Sequence, residues 1–165
     1  MASIAQEAHL PALGHHEREE VGRELQTTLV ELVDLSLLGK QLHWSVVGRE
    51  FKPLHEHLDE LVDSWRELAD TVAERAIALG FQVDGQSGAV SAATEIPPVE
   101  RGALETENVV RELVQRLAEV AERNRSRMDR LGELDLASQD VLIEAMRALE
   151  QQLWMLRALL PDEGG

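Results

Sequence analysis

Apolar residues recur at steps of three and four positions in four segments of the chain, which is the spacing of α-helices that each bury one face. The segments run from about 17 to 46, 50 to 79, 103 to 131 and 138 to 160. Each is long enough for a helix of several turns. The predicted buried positions are Leu25, Thr28, Leu32, Leu35, Gly39, Leu42 and Val46 in the first segment; Phe51, Leu54, Leu58, Leu61, Trp65, Leu68, Val72 and Leu79 in the second; Val110, Leu113, Leu117, Val120 and Leu131 in the third; and Leu142, Ala145, Leu149, Leu153 and Leu156 in the fourth.

Glycine and proline mark the breaks between these segments. Gly48 interrupts the pattern after the first segment, and Gly80 is placed to cap the second. Residues 80–102 are rich in Gly, Ser and Ala and contain two consecutive prolines. This stretch predicts a long crossover that has room for one short helical turn near 90–94.

Two helical hairpins joined by one long crossover are typical of ferritin-like four-helix bundles, whereas up-and-down bundles have only short loops. We therefore predict an all-α fold of the ferritin-like kind, with a short helix in the crossover between helices 2 and 3. The bundle is expected to occupy residues 17–161 and to follow a flexible N-terminal tail at residues 1–16.

The amino-acid composition and net charge exclude several classes of function. The chain has 165 residues, the size of one domain, and no cysteine, which excludes disulfides and thiolate chemistry. We find no secretory signal and no stretch able to span a bilayer, so we expect a cytoplasmic protein. A formal net charge of −15 disfavours nucleic-acid binding and favours cations, so metal ions are the expected partners.

Imidazoles and carboxylates cluster around the first interhelical turn. His43 lies near the end of the first helix, and His55, Asp59, Asp70 and Glu74 fall within an arc of about 100° on the second. A rise of 1.5 Å per residue separates His55 from Asp70 by about 22 Å, too far for one chain to join them at one metal. A second copy running antiparallel across a two-fold axis would bring the two ends together, which predicts a metal site between subunits.

One stretch, KQLHWSVVGREFKPLHEHLDELVDSWRELADTVAER at residues 40–75, closely resembles the signature of the Dps family, the DNA-binding proteins from starved cells that are miniature ferritins. The signature is present as His43-Trp44, Gly48 to Phe51, Leu54 to Glu60 and Asp70 to Arg75. The segment LWMLRALL at residues 153–160 also resembles the last-helix ending of the family, so the likeness extends from about residue 20 to 160.

The resemblance implies a ferroxidase centre at the dimer two-fold axis, with His43, His55 and Asp59 of one subunit and Asp70 and Glu74 of the other as iron ligands. It also implies a hollow dodecamer that oxidises Fe(II), preferentially with hydrogen peroxide but also with oxygen, stores the ferric mineral and protects against oxidative stress. Mixed imidazole and carboxylate ligands suit Fe(II), and hard oxygen ligands stabilise the Fe(III) formed. The alternative interpretation is that these are ordinary half-buried histidines and solvent-exposed carboxylates.

Other candidates have two interpretations each. Trp44 is either an electron donor beside the site, as the resemblance implies, or a core residue. Trp65 and Trp154 lie on apolar faces and are predicted to be packing residues, and His57, off the ligand face, is predicted to lie at the surface. The tail histidines His9, His15 and His16 are not expected to form a metal site.

Asp135 and Asp140 resemble in position the acidic residues that line the iron-entry pore of the family, where a ring of carboxylates attracts Fe(II). The alternative is helix-start chemistry, with Ser138 as N-cap and Asp140 in the first turn.

The sequence differs from that of DNA-coating members of the family in the residues expected to bind DNA. The first seventeen residues contain no Lys or Arg and the chain ends in PDEGG, so the basic tail that contacts phosphates in DNA-coating relatives is missing. We expect an enzyme, a ferroxidase and iron store with weak or no DNA binding. The alternatives are a non-enzymatic shell that binds the nucleoid and an isolated four-helix interaction module.

Overall fold

A computed structural model describes residues 13–161, and the four long helices predicted above are present in it. The predicted all-α, ferritin-like bundle is confirmed, including a short helix in the crossover. In chain order the elements are α1 (His15–Ser45), β1 (Val46–Val47), α2 (Phe51–Ala78), α3 (Ser87–Ala93), β2 (Leu104–Glu105), α4 (Thr106–Leu134) and α5 (Leu136–Arg157).

The long helices form two hairpins, α1 with α2 and α4 with α5, which enclose one hydrophobic core. Of the buried positions predicted for the four segments, every one is buried except Phe51; Trp154, predicted separately to be a packing residue, is also exposed. The prediction for Phe51 is wrong, because this first residue of α2 is 42% exposed and contacts the ring of His55 instead of the core (centroids 4.9 Å apart).

A close approach between α1 and α2 sets the geometry of the first hairpin. A Cβ atom at Gly39 would lie 2.7 Å from both the Trp65 ring and the Val62 side chain, so only glycine fits there. Trp65 is fully buried, as predicted, and its indole N–H donates to Gln152 of α5 at 2.8 Å. Trp65 therefore anchors α5 against this hairpin.

A two-stranded parallel pairing, not expected from the sequence, lies at the end of α1. Val46 pairs with Leu104 and Val47 with Glu105, which ties the loop after α1 to the start of α4. Gly48 follows β1 with a φ of 114°, a conformation that side chains with a Cβ rarely adopt. The pairing fixes the loop that connects the two histidine-bearing helices.

A buried ionic cluster joins the two hairpins. Glu31 of α1 is 2% exposed and accepts from two arginines of α4, Arg127 (Nη1 to Oε2, 2.6 Å) and Arg123. Arg127 is itself buried and also donates to the Thr28 hydroxyl at 3.4 Å. Nothing in the apolar pattern predicts this cluster, since Glu31 is a charged residue adjacent to the buried face.

Helix ends lie within about three residues of their predicted positions. Helix α1 begins at His15, two residues inside the segment predicted to be a tail, and residues 1–12, with His9, lie outside the described part of the chain. Gly80 follows α2 with a φ of 85°, as expected of a residue that ends a helix. No helix within residues 13–161 combines the length and apolarity needed to cross a membrane.

Candidate metal centre

His43 and His55 hold each other at the turn between α1 and α2. The His43 Nδ1 lies 2.8 Å from the main-chain oxygen of His55, and the His55 Nδ1 lies 2.9 Å from the main-chain oxygen of His43. The two rings stack with centroids 3.5 Å apart and planes 22° from parallel. His43 is buried and His55 partly buried, so this pair is a built feature of the subunit.

These contacts assign the hydrogens on both rings. A carbonyl oxygen can only accept, so each Nδ1 carries the hydrogen and each neutral ring keeps its lone pair on Nε2. No described residue hydrogen-bonds to either Nε2. A histidine whose far nitrogen donates to a carbonyl is the usual form of a metal ligand, since the hydrogen bond fixes the tautomer and orients the ring.

Asp59 lies beside this pair, one turn further along α2. Its Oδ1 is 3.3 Å from His43 Nδ1 and accepts from Lys40 Nζ at 2.6 Å. The hydrogen bond from Lys40 lowers the pKa of the Asp59 carboxyl below its ordinary value, although desolvation acts in the opposite direction. Asp59 is therefore ionised, and a metal ion would compete with Lys40 for the same oxygen atom.

Asp70 and Glu74 are not part of this cluster within one subunit. Both are exposed on α2, about 16 Å or more along the helix axis from Asp59. Among residues 13–161, no three His, Cys, Asp or Glu side chains are placed to hold one metal ion. The subunit thus brings His43, His55 and Asp59 together and leaves Asp70 and Glu74 apart from them on the exposed surface of the same helix.

The surface beside Asp70 is apolar. A shallow groove there is lined by Val33 and Leu37 of α1 and by Ala69 and Ala73 of α2, and Leu37 is 53% exposed. Of these four side chains Leu37 is exposed, Val33 and Ala73 are partly buried and Ala69 is buried, so the groove is a small apolar surface.

The two remaining tryptophans and His57 differ from the sequence predictions to different degrees. Trp44 is 70% exposed, so the core interpretation is wrong for this chain; its ring lies beneath Lys40 Nζ, 5.8 Å from the centroid. The prediction that Trp154 packs in the core is also wrong, because it is 67% exposed on the outer face of α5. His57 lies apart from His43 and His55, half-buried, with its Nδ1 3.0 Å from Glu60.

Asp135 caps α5 and binds Arg75 of α2. Its Oδ2 accepts from the Ser138 amide at 3.1 Å, from the Ser138 hydroxyl and from Arg75 Nη2 at 2.7 Å. Burial opposes ionisation, but the bonds from Ser138 and Arg75 outweigh it and lower the pKa of the Asp135 carboxyl. The N-cap is thus Asp135 rather than the predicted Ser138, since Asp135 is the β-region residue before the first turn and its side chain accepts from the Ser138 amide.

Asp140 is exposed one turn into α5. The pore role of Asp135 and Asp140 stays a prediction. For Asp135 the cap and the Arg75 pair both use Oδ2.

Sequence reasoning missed two residues. Lys40 lies three positions before His43, so a helix places both on one side, and this spacing could have indicated that its charge meets Asp59. Arg75 follows the predicted ligand Glu74 directly, but its partners are sixty or more positions away and no local spacing indicates them.

The chain matches the model of the ferritin-like domain family over residues 22–163. Over 158 residues it is 36% identical to the DNA protection during starvation protein of Mycolicibacterium smegmatis, with 94% of this chain and 85% of that protein covered. It is 32% identical over 153 residues to DNA protection during starvation protein 2 of Deinococcus radiodurans; that match covers 93% of this chain and 64% of the relative.

Solved structures give the same result. The structure superposes on Mycobacterium smegmatis Dps with a TM-score of 0.92 and 33% identity, covering 100% of this chain and 92% of that one. It superposes on DpsA14 from Streptomyces coelicolor with a TM-score of 0.90 and 34% identity, covering 95% of this chain and 94% of that one.

Proposed function

Since this chain belongs to the Dps family of ferritin-like proteins, we propose that it oxidises Fe(II) with hydrogen peroxide at a centre shared by two subunits and stores the ferric product in a hollow dodecameric shell. Its cellular role is protection of a starved or oxidatively stressed cytoplasm from iron and peroxide.

The observation that carries this proposal is the reciprocal bond between His43 and His55. Two imidazoles that hydrogen-bond through Nδ1 and leave Nε2 open, beside the ionised Asp59, form a set of nitrogen and oxygen donors that suits Fe(II). Nothing in helix packing alone requires two stacked histidines to fix each other's tautomer.

The open surface around Asp70 supports the shared centre. Asp70 and Glu74 would complete the ligand set only if they came from a second subunit, and the apolar groove beside Asp70 offers such a subunit a contact surface. Trp44 is exposed on the same side as Lys40 and Asp59. We assign it the role of giving one electron and one proton to a stray hydroxyl radical, which becomes water.

The proposed reaction balances with peroxide as the oxidant. Each of two Fe(II) ions loses one electron, hydrogen peroxide accepts both, and its O–O bond breaks to give two hydroxides rather than a hydroxyl radical. The Fe(III) ions then hydrolyse to the stored mineral. Oxygen is the second oxidant to test.

Anaerobic addition of Fe(II) and hydrogen peroxide to the purified protein tests the proposal directly. We expect the purified protein to elute as a large assembly, to consume peroxide at one molecule per two Fe(II), and to retain the iron on gel filtration. Omission of protein is the control. A monomeric protein that retains no iron would contradict the proposal.

The relatives are named for DNA protection, and we propose that this chain protects through iron chemistry without binding DNA. Its net charge of −15 opposes sequence-independent contacts with phosphates. We expect no retardation of plasmid DNA in a gel at about 150 mM salt, and any retardation at lower salt should vanish as salt rises. A stable shift at about 150 mM would instead favour the nucleoid-binding shell.

A further inference from the structure

Two opposite charges lie on α2 between the two halves of the proposed centre. Asp63 and Arg66 are exposed, and neither side chain forms a hydrogen bond or ion pair with another residue in the part of the chain that the structure describes. Many other arginines are paired; Arg75, Arg127 and Arg130, for example, each bind a carboxylate.

Both charges point in the direction of the candidate ligands. At about 100° per residue and measured from Asp59, Asp63 lies at about +40° and Arg66 at about −20°. The candidate ligands of α2 extend from about −40° at His55 to about +60° at Glu74. Arg66 also lines the apolar groove that contains Asp70. A second subunit that supplies Asp70 and Glu74 must therefore also cover Asp63 and Arg66.

The positions of Asp63 and Arg66 along α2 place these charges next to the proposed two-fold axis. If Asp59 lies opposite Asp70 of the partner subunit, the axis crosses α2 midway between positions 59 and 70, which is also midway between positions 63 and 66. Each of the two charges then lies only about 2 Å along the helix from the axis. Asp63 faces Arg66 of the partner subunit, and the symmetry repeats the contact.

We propose that Asp63 and Arg66 form two symmetric intersubunit salt bridges that set the antiparallel register of α2 against α2, and so align the two halves of the metal centre. This rests on the shared centre proposed above. The occupant of the surface is a second copy of this chain, because the two-fold operation brings each of the two charges opposite a charge of the other sign.

Other registers are disfavoured by the same pair. A slide of three residues in one direction brings Arg66 opposite Arg66 of the partner subunit, and in the other direction Asp63 opposite Asp63 of the partner subunit. In the proposed dimer the bordering groove residues Val33, Leu37, Ala69 and Ala73 would exclude water, so like charges there would be poorly screened. The pair thus rejects wrong alignments as well as favouring the correct one.

Charge reversal tests the pair. Asp63→Arg and Arg66→Glu, each alone, place four like charges at the axis, and we expect dimerisation at least about tenfold weaker than in the parent. Mixing the two variants restores both salt bridges in every mixed dimer, and the double variant D63R/R66E restores them in every dimer. The masses of the native assemblies show whether assembly is recovered. The control is Glu60→Arg, a charge reversal on the same helix about 100° from Asp59.

The proportion of the two variants in the recovered shells gives the most decisive measurement. When the two single variants are mixed at three to one, the recovered shells should still contain them at one to one, with the excess variant left unassembled. The proposed salt bridges would be contradicted if the shells contained the two variants at random, or if the single variants assembled like the parent. They would also be contradicted if both the mixture and the double variant failed to assemble. Failure of the shared ferroxidase centre is distinguishable, because the parent would then assemble without oxidising Fe(II).

Discussion

Loss of either half of the proposed centre is expected to reduce Fe(II) oxidation to near the background rate. One variant carries His43→Ala and His55→Ala, and the other carries Asp70→Ala and Glu74→Ala. The first removes both imidazoles of the stacked pair, and the second removes the exposed carboxylates. Each leaves an incomplete ligand set at every site, because both subunits of a dimer are then defective.

A mixed dimer of the two variants should recover activity. Such a dimer combines both defective halves at one site and both intact halves at the other, so one working centre returns. If the two sites act independently, the mixed dimer should show up to about half the Fe(II) oxidation of the parent. The measurement uses co-expressed variants with different tags, isolation of the species that carries both, and stopped-flow absorbance of ferric product.

The matched control is His57→Ala with Glu60→Gln, a histidine and a carboxylate on the same helix that contact each other and not the candidate ligands. It should oxidise Fe(II) like the parent. A correctly assembled mixed shell with no recovery would mean that all five ligands act within one chain, and the shared centre would be wrong.

Replacement of Glu31 is expected to have the largest effect on stability. Glu31→Gln removes the charge that balances two arginines, one of which, Arg127, is buried. An uncompensated buried charge costs about 3–5 kcal/mol. The free energy of unfolding per subunit should fall by this amount in denaturant titrations made at one fixed subunit concentration, since assembly contributes to the apparent stability.

Two comparisons isolate the cause. Glu150→Gln breaks an exposed pair with Arg125 between α4 and α5 and should cost less than about 1 kcal/mol. Glu31→Leu combined with Arg127→Met removes both buried charges and should restore most of the loss, because a buried ion pair replaced by apolar side chains of similar size is often neutral. A Glu31→Gln variant within about 0.5 kcal/mol of the parent would show that solvent reaches the cluster.

The sequence predicts those parts of the structure that depend on local periodicity. Helix bounds and buried faces follow from steps of three and four residues, and the separation of the two half-sites follows from the rise of an α-helix. Pairings between distant segments are not encoded locally. The strand contact of Val46 with Leu104 and the bond of Arg75 to Asp135 join residues about sixty positions apart.

Exposure of apolar residues was the other source of error. Phe51 and Trp154 continue an apolar helical pattern but extend beyond the core of one subunit. A periodic pattern reports which residues avoid water in the functional molecule and does not distinguish the core of a subunit from a contact between subunits.

The bond between the two histidines also determines when conformational entropy is lost. His43 and His55 give up their rotational freedom as the subunit folds, because each ring is held by the main chain of the other. Asp70 and Glu74 keep theirs on an exposed helix surface, and ordering costs about 0.5–1.5 kcal/mol per side chain when it occurs. In the proposed centre the imidazole half is thus preorganised, and the entropic penalty of metal binding falls on the carboxylates contributed by the other subunit.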